Sequence, residues 1–310
     1  MSYGKHKVTA SHGLLFAGLA ILIALTGCSK PDAPPYRVFT SPDEAGSALL
    51  DAGKSGDQNA LLAIFGAGSK ELISSGDAVQ DKAIVDRFVT AYGVMHRWRK
   101  MPDGAQVLLV GADSFAFPIP LKKNGAGQWF FDTAAGKDEI LARRIGRNEL
   151  AVINVCDALA DAQAAYFLQS KKQYAVKFIS DTGTHDGLYW ESPEGQPQSP
   201  LGPLVAFATS EGYGAKPNSH VPFHGYFFHM LTKQGSHARG GAKDYMVDGK
   251  MVGGFAFVAY PAEYGNSGIM TFMINQDGVL FQKDLGKSTT ETATAISQFD
   301  PDDSWTPVQQ

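Results

Sequence analysis

Hydrophobic positions along the chain change their spacing repeatedly, and each change predicts a different element. Residues 1–13 are polar, with Lys5 and Lys7 as their formal charges, and the run from Leu14 to Leu25 is almost purely apolar. As a helix that run spans about 18 Å, too short to cross the roughly 30 Å hydrocarbon core of a bilayer. Helical spacing begins at Ser41-Pro42-Asp43-Glu44, where Ser41 caps, Pro42 takes the first helical position and Glu44 closes a capping box. Ala45, Ala48, Leu49 and Ala52 continue that helix, and Gly53 and Gly56 stop it. Asp57 caps a second, short helix carrying Leu61, Leu62, Ile64 and Phe65. A longer helix is predicted over residues 79–100, with Ile84, Val85, Phe88, Tyr92 and Met95 on one stripe. After Pro102-Asp103-Gly104 the period falls to two, predicting strands at 106–110, 115–121 and 128–131 with a turn at Asn124-Gly125.

A second unit starts with a long helix predicted over 137–171, on which Leu141, Ile145, Val152, Val155, Leu159 and Tyr166 form one apolar stripe. Strands follow at 174–179, 225–231, 252–260, 268–274 and 279–283, with Asp277-Gly278 turning the last hairpin. Tyr226 and Phe228 point one way while Phe227 points the other, and Phe255 and Phe257 oppose Val258 and Tyr260. Both faces of these strands are apolar and both need cover. The reading is α+β throughout: residues 1–27 a signal peptide, 28–37 a proline-stiffened tether, 38–136 helices plus a small antiparallel sheet, and 137–310 a long helix on an antiparallel sheet.

Composition narrows the classes. Apolar residues make up 44% of the chain, which excludes wholesale disorder. Lys and Arg total 27 against 31 Asp and Glu, without the basic excess of a nucleic-acid partner. Two cysteines make no disulfide framework.

Candidate chemistry is sparse. His224, His229 and His237 suggest a metal, but residues five apart on a strand face opposite sides, so His224 and His229 do not converge. Asp181-Thr182-Gly183 matches the aspartic-protease triplet, yet that chemistry needs a second carboxylate copy and the chain has none. Cys156 sits among Val155 and Leu159 and reads as a packed core thiol. No catalytic residue, metal or cofactor is assigned. The candidate binding surface is the aromatic-rich set His224, Tyr226, Phe228, Tyr260 and Tyr264.

Four resemblances add to this. Leu25-Thr26-Gly27-Cys28 resembles the lipobox of bacterial lipoproteins, which implies acylation of Cys28, cleavage before it and attachment to the envelope membrane. Ser29, where Asp would signal inner-membrane retention, implies the outer membrane. The element order of residues 38–136 is similar to the cone-shaped fold of nuclear transport factor 2-like proteins. The stretches Arg143-Arg144-Ile145-Gly146-Arg147-Asn148-Glu149-Leu150, His224-Gly225-Tyr226-Phe227-Phe228 and Pro261-Ala262-Glu263-Tyr264-Gly265-Asn266 resemble the bacterial family called domain of unknown function 2950. So do Asp186-Gly187-Leu188-Tyr189-Trp190, Ser199-Pro200-Leu201-Gly202-Pro203-Leu204 and Asn275-Gln276-Asp277-Gly278. This resemblance implies an exported protein and carries no activity. The layout of the second unit also resembles the globular heads of type IV pilins and pseudopilins, although Lys137, Asp138, Glu139, Arg143, Arg144 and Arg147 make the helix start too charged for a membrane stalk. The expected function is a non-catalytic binding or assembly module whose partner is an envelope protein or a small ligand. The competing reading is a hydrolase acting near Asp181 or His224.

Overall fold

The capping signals at residues 41–44 and 57 build the first layer. In the computed structural model, which describes residues 35–309 apart from 194 and 215–220, the cleavage site and Cys28 lie outside the described residues. Helix α1 (Pro42–Ser55) starts on Ser41, whose Oγ accepts from Glu44 N at 3.1 Å. Glu44 returns its carboxylate to Thr40 N at 2.8 Å, one residue earlier than a standard capping box. Asp57 caps α2 (Gln58–Phe65) through Asn59 N, and a single turn, α3 (Lys70–Ile73), follows. Helix α4 (Ala78–Val94) starts on Asp77.

Helix α4 ends six residues before the expected 100. Met95 is extended, and His96–Lys100 form strand β1, paired antiparallel with β2 (Gln106–Val110) from His96↔Val110 to Lys100↔Gln106. Tyr92, Met95 and Trp98 keep a three-residue spacing across the boundary, so the apolar period continues although the backbone changes. The expected strand 115–121 is likewise divided, into β3 (Phe115–Ala116) and β4 (Leu121–Lys123). Pro118 and Pro120 lie between them and remove the N–H donors a continuous strand needs. With β5 (Trp129–Phe131) these strands form a sheet of order β1-β2-β4-β5, with β3 on β2. Its core gathers Phe39, Leu49, Ile64, Tyr92, Leu108, Leu121 and Phe131.

Asp132 then caps α5 (Thr133–Gln169), a helix of 37 residues that begins four residues before the expected 137. At 1.5 Å per residue it is about 55 Å long. It serves both halves: Ile140 packs on the first core, and Val152, Val155, Leu159 and Tyr166 belong to the second. Residues 174–179 form no strand. Gln163 donates from Nε2 to Ala175 O at 2.9 Å and accepts from Ala175 N at 2.9 Å, so a side chain satisfies the backbone groups that a ladder would use. Only single bridges remain there, Tyr174↔Met251 and Ile179↔Tyr189.

The Gly-Pro-rich segment that reads as a connection contains α6 (Gly202–Ser210), with Pro203 in its first turn. Strand β6 (Tyr226–Leu231) follows, then two short ribbons, β7 (Lys233–Gln234) with β8 (Lys243–Asp244) and β9 (Met246–Val247) with β10 (Lys250–Met251). Strands β11 (Ala256–Pro261), β12 (Met270–Asn275), β13 (Phe281–Asp284) and β14 (Thr306–Pro307) complete an antiparallel sheet of order β14-β13-β12-β11-β6. Asp277-Gly278 makes the β12–β13 turn, with Gly278 at φ 72° donating to Asn275 O at 3.0 Å. Both apolar faces are covered from within the chain. Helix α5 packs on β11 and β12, while a last short helix, α7 (Thr289–Ala295), packs on β11. Among the described residues no helix is long and apolar enough to cross a membrane.

Candidate functional site

The first half of α5 breaks its own apolar stripe. Leu141 and Ile145 are only half-buried, and the buried positions beside them are Arg144 and Asn148. A buried guanidinium requires several acceptors, and Arg144 has them. It donates to Glu71 O at 2.8 Å, to Leu72 O at 2.7 Å and to Asn266 Oδ1. Burial pulls its pKa below the usual arginine value, while Asp81, Glu263 and Glu71 act in the opposite direction. One turn on, Asn148 Nδ2 donates to Ser267 O at 2.8 Å, and Glu149 Oε1 accepts from Ile269 N and Met270 N at 2.9 and 3.0 Å. Asn266 Nδ2 in turn donates to Ser74 O at 3.1 Å and to Glu263 Oε2 at 2.7 Å.

A buried carboxylate extends this junction. Asp77, which caps α4, accepts through Oδ2 from Tyr213 Oη at 2.6 Å and from Gly225 N at 3.0 Å. Burial, then the Asp77 carboxylate, raises the Tyr213 phenol far above its ordinary range. Gly225 sits at φ 75°, and a Cβ there would come within 2.6 Å of Asn148 Nδ2. The charged and glycine-containing motifs of α5, residues 224–228 and residues 261–266 therefore meet at one place. Their side chains tie the loop after α3, α5 and the second sheet together. They form a structural clasp.

Beside the clasp lies a cavity of about 520 Å³. Its walls come from α1, α2, α4, the first sheet and α5. The α4 stripe residues Ile84, Val85 and Phe88 line it and are half-buried, and Phe88 also packs on Phe117 with ring centroids 5.5 Å apart. Its polar lining is one carboxylate, Asp81, and four guanidinium groups, Arg87, Arg143, Arg144 and Arg147. Three of these come from one turn of α5. Asp81 accepts from Ser75 N at 2.9 Å, and burial raises its pKa. Arg143 is paired with Glu139 at 2.6 Å. Desolvation, and then the charges of Arg87 and Arg144, pull Arg147 below the usual arginine value.

A second cavity, of about 450 Å³, lies between α5, α6 and the second sheet. Tyr226 and Phe228 line it together. Tyr226 is fully buried and donates to Met270 O at 2.9 Å, so its hydroxyl is occupied. The sheet register separates the other candidate aromatic residues. Tyr260 pairs with Phe227 and lies on the opposite face, 5.9 Å from the His229 ring. Tyr264 donates from the loop after β11 to Asp284 Oδ2 at 3.3 Å. His224 is next to Gly225 at φ 51°, an uncommon conformation for a residue with a side chain, and its Nε2 lies 3.1 Å from Glu211 Oε2.

Among the described residues, neither hydrolase position assembles a nucleophile. Among the described residues, His224 has no Ser, Thr or Cys hydrogen-bond partner. Asp181 closes a turn, and Lys177 bridges it to Asp186 at 2.6 and 2.7 Å. The Lys177 ammonium and the Thr184 hydroxyl hold the Asp186 carboxyl below its ordinary range, the opposite of the raised carboxyl of a shared-proton dyad. His229 points to Ile296 O at 3.2 Å and His237 to Asp300 at 3.1 Å. Among the described residues no group of three or more His, Cys, Asp or Glu is arranged to hold a metal. Cys156 is buried, and desolvation pushes its thiol far above the ordinary range, which keeps it unreactive.

The cavity beside the clasp was not picked out by the candidate surface residues. The available signal was the Arg143-Arg144-Arg147 set on the face that becomes apolar from Val152 onward. A family model described as Protein of unknown function (DUF2950) matches residues 36–308. No curated protein and no solved structure matches the chain, so the likeness to pilin heads rests on layout alone.

Proposed function

The chain belongs to the DUF2950 family, and from that premise we propose that it is a non-catalytic binding protein of the bacterial envelope that holds a small, largely apolar molecule. The supporting observation is the cavity of about 520 Å³ beside the clasp, within the roughly 300–1,000 Å³ range of small-molecule sites. Apolar side chains that line a cavity leave part of their dispersion contacts unmade, and a ligand of matching shape supplies them. The Lys177 bridge at Asp181 and the partners of His224 support binding over hydrolysis. In this reading acyl chains on Cys28 hold the protein to the periplasmic side of the envelope, on the outer membrane, and residues 28–37 act as a tether.

Two measurements test the reading. Nile red, a neutral solvatochromic dye, is expected to shift its emission on binding the purified chain. Ile84→Trp, which fills the cavity, is expected to abolish that shift while leaving far-ultraviolet circular dichroism unchanged. Binding that is absent, or equal in the variant, refutes the cavity as the site. For anchoring, metabolic fatty-acid labelling is expected to mark the wild type and not Cys28→Ala; an unlabelled wild type refutes the lipid anchor.

A further inference from the structure

We infer that the ligand of the cavity beside the clasp is a single-chain amphipathic anion, its tail among the α4 stripe residues and its anionic head between Arg87 and Arg147. This rests on the binding reading above and adds the chemical class. The charge at the cavity is unbalanced: four guanidinium groups line it against the single carboxylate of Asp81. Arg144 is consumed by Glu71 O, Leu72 O and Asn266, and Arg143 by Glu139. Among the described residues, Arg87 and Arg147 have no carboxylate at ion-pair distance. They come from α4 and α5, both line the cavity and both are exposed to solvent; Arg87 and Arg144 disfavour the charged form of Arg147, and Asp81 favours it.

Two guanidinium groups that line an apolar space without a carboxylate partner offer donors that a bound anion would fill. Guanidinium groups suit carboxylate and phosphate oxygens because their planar donors match those oxygens in pairs. A neutral apolar ligand would leave these donors unfilled, and a free inorganic anion would leave the Ile84, Val85 and Phe88 surface bare. An amphiphile with one chain meets both demands.

Calorimetric titration of the purified full chain with dodecanol, dodecanoate and dodecyl phosphate separates the possibilities. Either anion is expected to bind about tenfold more tightly than dodecanol, the scale of one charge-assisted contact. In the Arg87→Gln/Arg147→Gln double variant the anions are expected to fall to the dodecanol affinity, with dodecanol itself unchanged. The Arg87→Lys/Arg147→Lys double variant keeps the charge and is expected to retain most of the preference; it also controls for any loss of fold. Equal binding of all three probes to the wild type overturns the anionic head and leaves the binding reading standing. No binding of any probe overturns both. A preference for the anions that survives in the Gln double variant overturns the assignment of Arg87 and Arg147.

Discussion

Replacing Arg144 by methionine isolates the clasp, because methionine keeps the buried stem and removes only the guanidinium. The side chain is 4% exposed, and its three acceptors are Glu71 O, Leu72 O and Asn266 Oδ1. A hydrogen bond from a charged donor contributes about 1.5–3 kcal/mol net, and the cost of burying the arginine charge itself is recovered in the variant. Of the residues that supply the acceptors, Leu72 lines the cavity, while Asn266 is 6% exposed. Together these give an expected loss of about 3 kcal/mol for Arg144→Met. Asn266→Ala removes the bonds to Ser74 O and Glu263 as well and is expected to cost about 2 kcal/mol. The two side chains share one bond, so the double variant should lose about 1–2 kcal/mol less than the sum of the singles. Urea unfolding followed by tryptophan fluorescence and circular dichroism measures all four corners of the cycle. An Arg144→Met variant within about 0.5 kcal/mol of wild type, or single effects that simply add, would refute the clasp.

Helix α5 allows a paired test on opposite faces. Val152 is fully buried and Leu150 is 67% exposed, so Val152→Asp is expected to cost several kcal/mol and Leu150→Asp about 0.5 kcal/mol or less, read as thermal unfolding midpoints. Equal tolerance would mean the helix is not docked on the second sheet. Acidification should destabilise the fold through His229 and His224, whose folded pKa values burial pulls below the ordinary 6.5. The unfolded chain then takes up protons first, so stability is lost as pH falls below about 6.5 toward the folded values. His229→Gln, which can still donate to Ile296 O, should flatten that decline in urea unfolding across pH 5–7; an unchanged slope would refute the assignment. Exposed His237, raised by Asp300, has the opposite sign and is lost as pH rises.

The sequence made the caps at Ser41 and Asp57, the α5 stripe from Val152 onward and the Asp277-Gly278 hairpin legible, because each depends on neighbours within a few residues. What it concealed depends on distant partners. Residues 174–179 alternate like a strand, but Gln163, folded over from α5, occupies the Ala175 backbone. The β1 segment reads as a helix end because Tyr92, Met95 and Trp98 keep a helical interval. Helix α7, Thr-Thr-Glu-Thr-Ala-Thr-Ala, carries no apolar stripe and four β-branched residues, so its sequence argues against a helix that packing on β11 nonetheless forms. For the site, Arg143, Arg144 and Arg147 were visible as a charged helix start. Their roles were not, since whether an arginine is satisfied or free depends on carbonyls from residues 71–72 and on Asn266.

The division of α5 between two cores also sets an order of events for a chain that emerges from its amino terminus. The first core needs nothing later than the opening turns of α5, so it can close as soon as those have appeared. The rest of the helix must wait for β11 and β12, about 100 residues further on, which at ordinary synthesis speeds of about 5–20 residues per second is on the order of 5–20 s. Through that interval Val152, Val155, Leu159 and Tyr166 have no sheet to receive them, and Asp77 and Ser74 still await Tyr213, Gly225 and Asn266. A chain delivered in that direction presents its most adhesive surface at the midpoint of its own emergence. A holding chaperone acting on this protein would therefore find its strongest grip on the second half of α5.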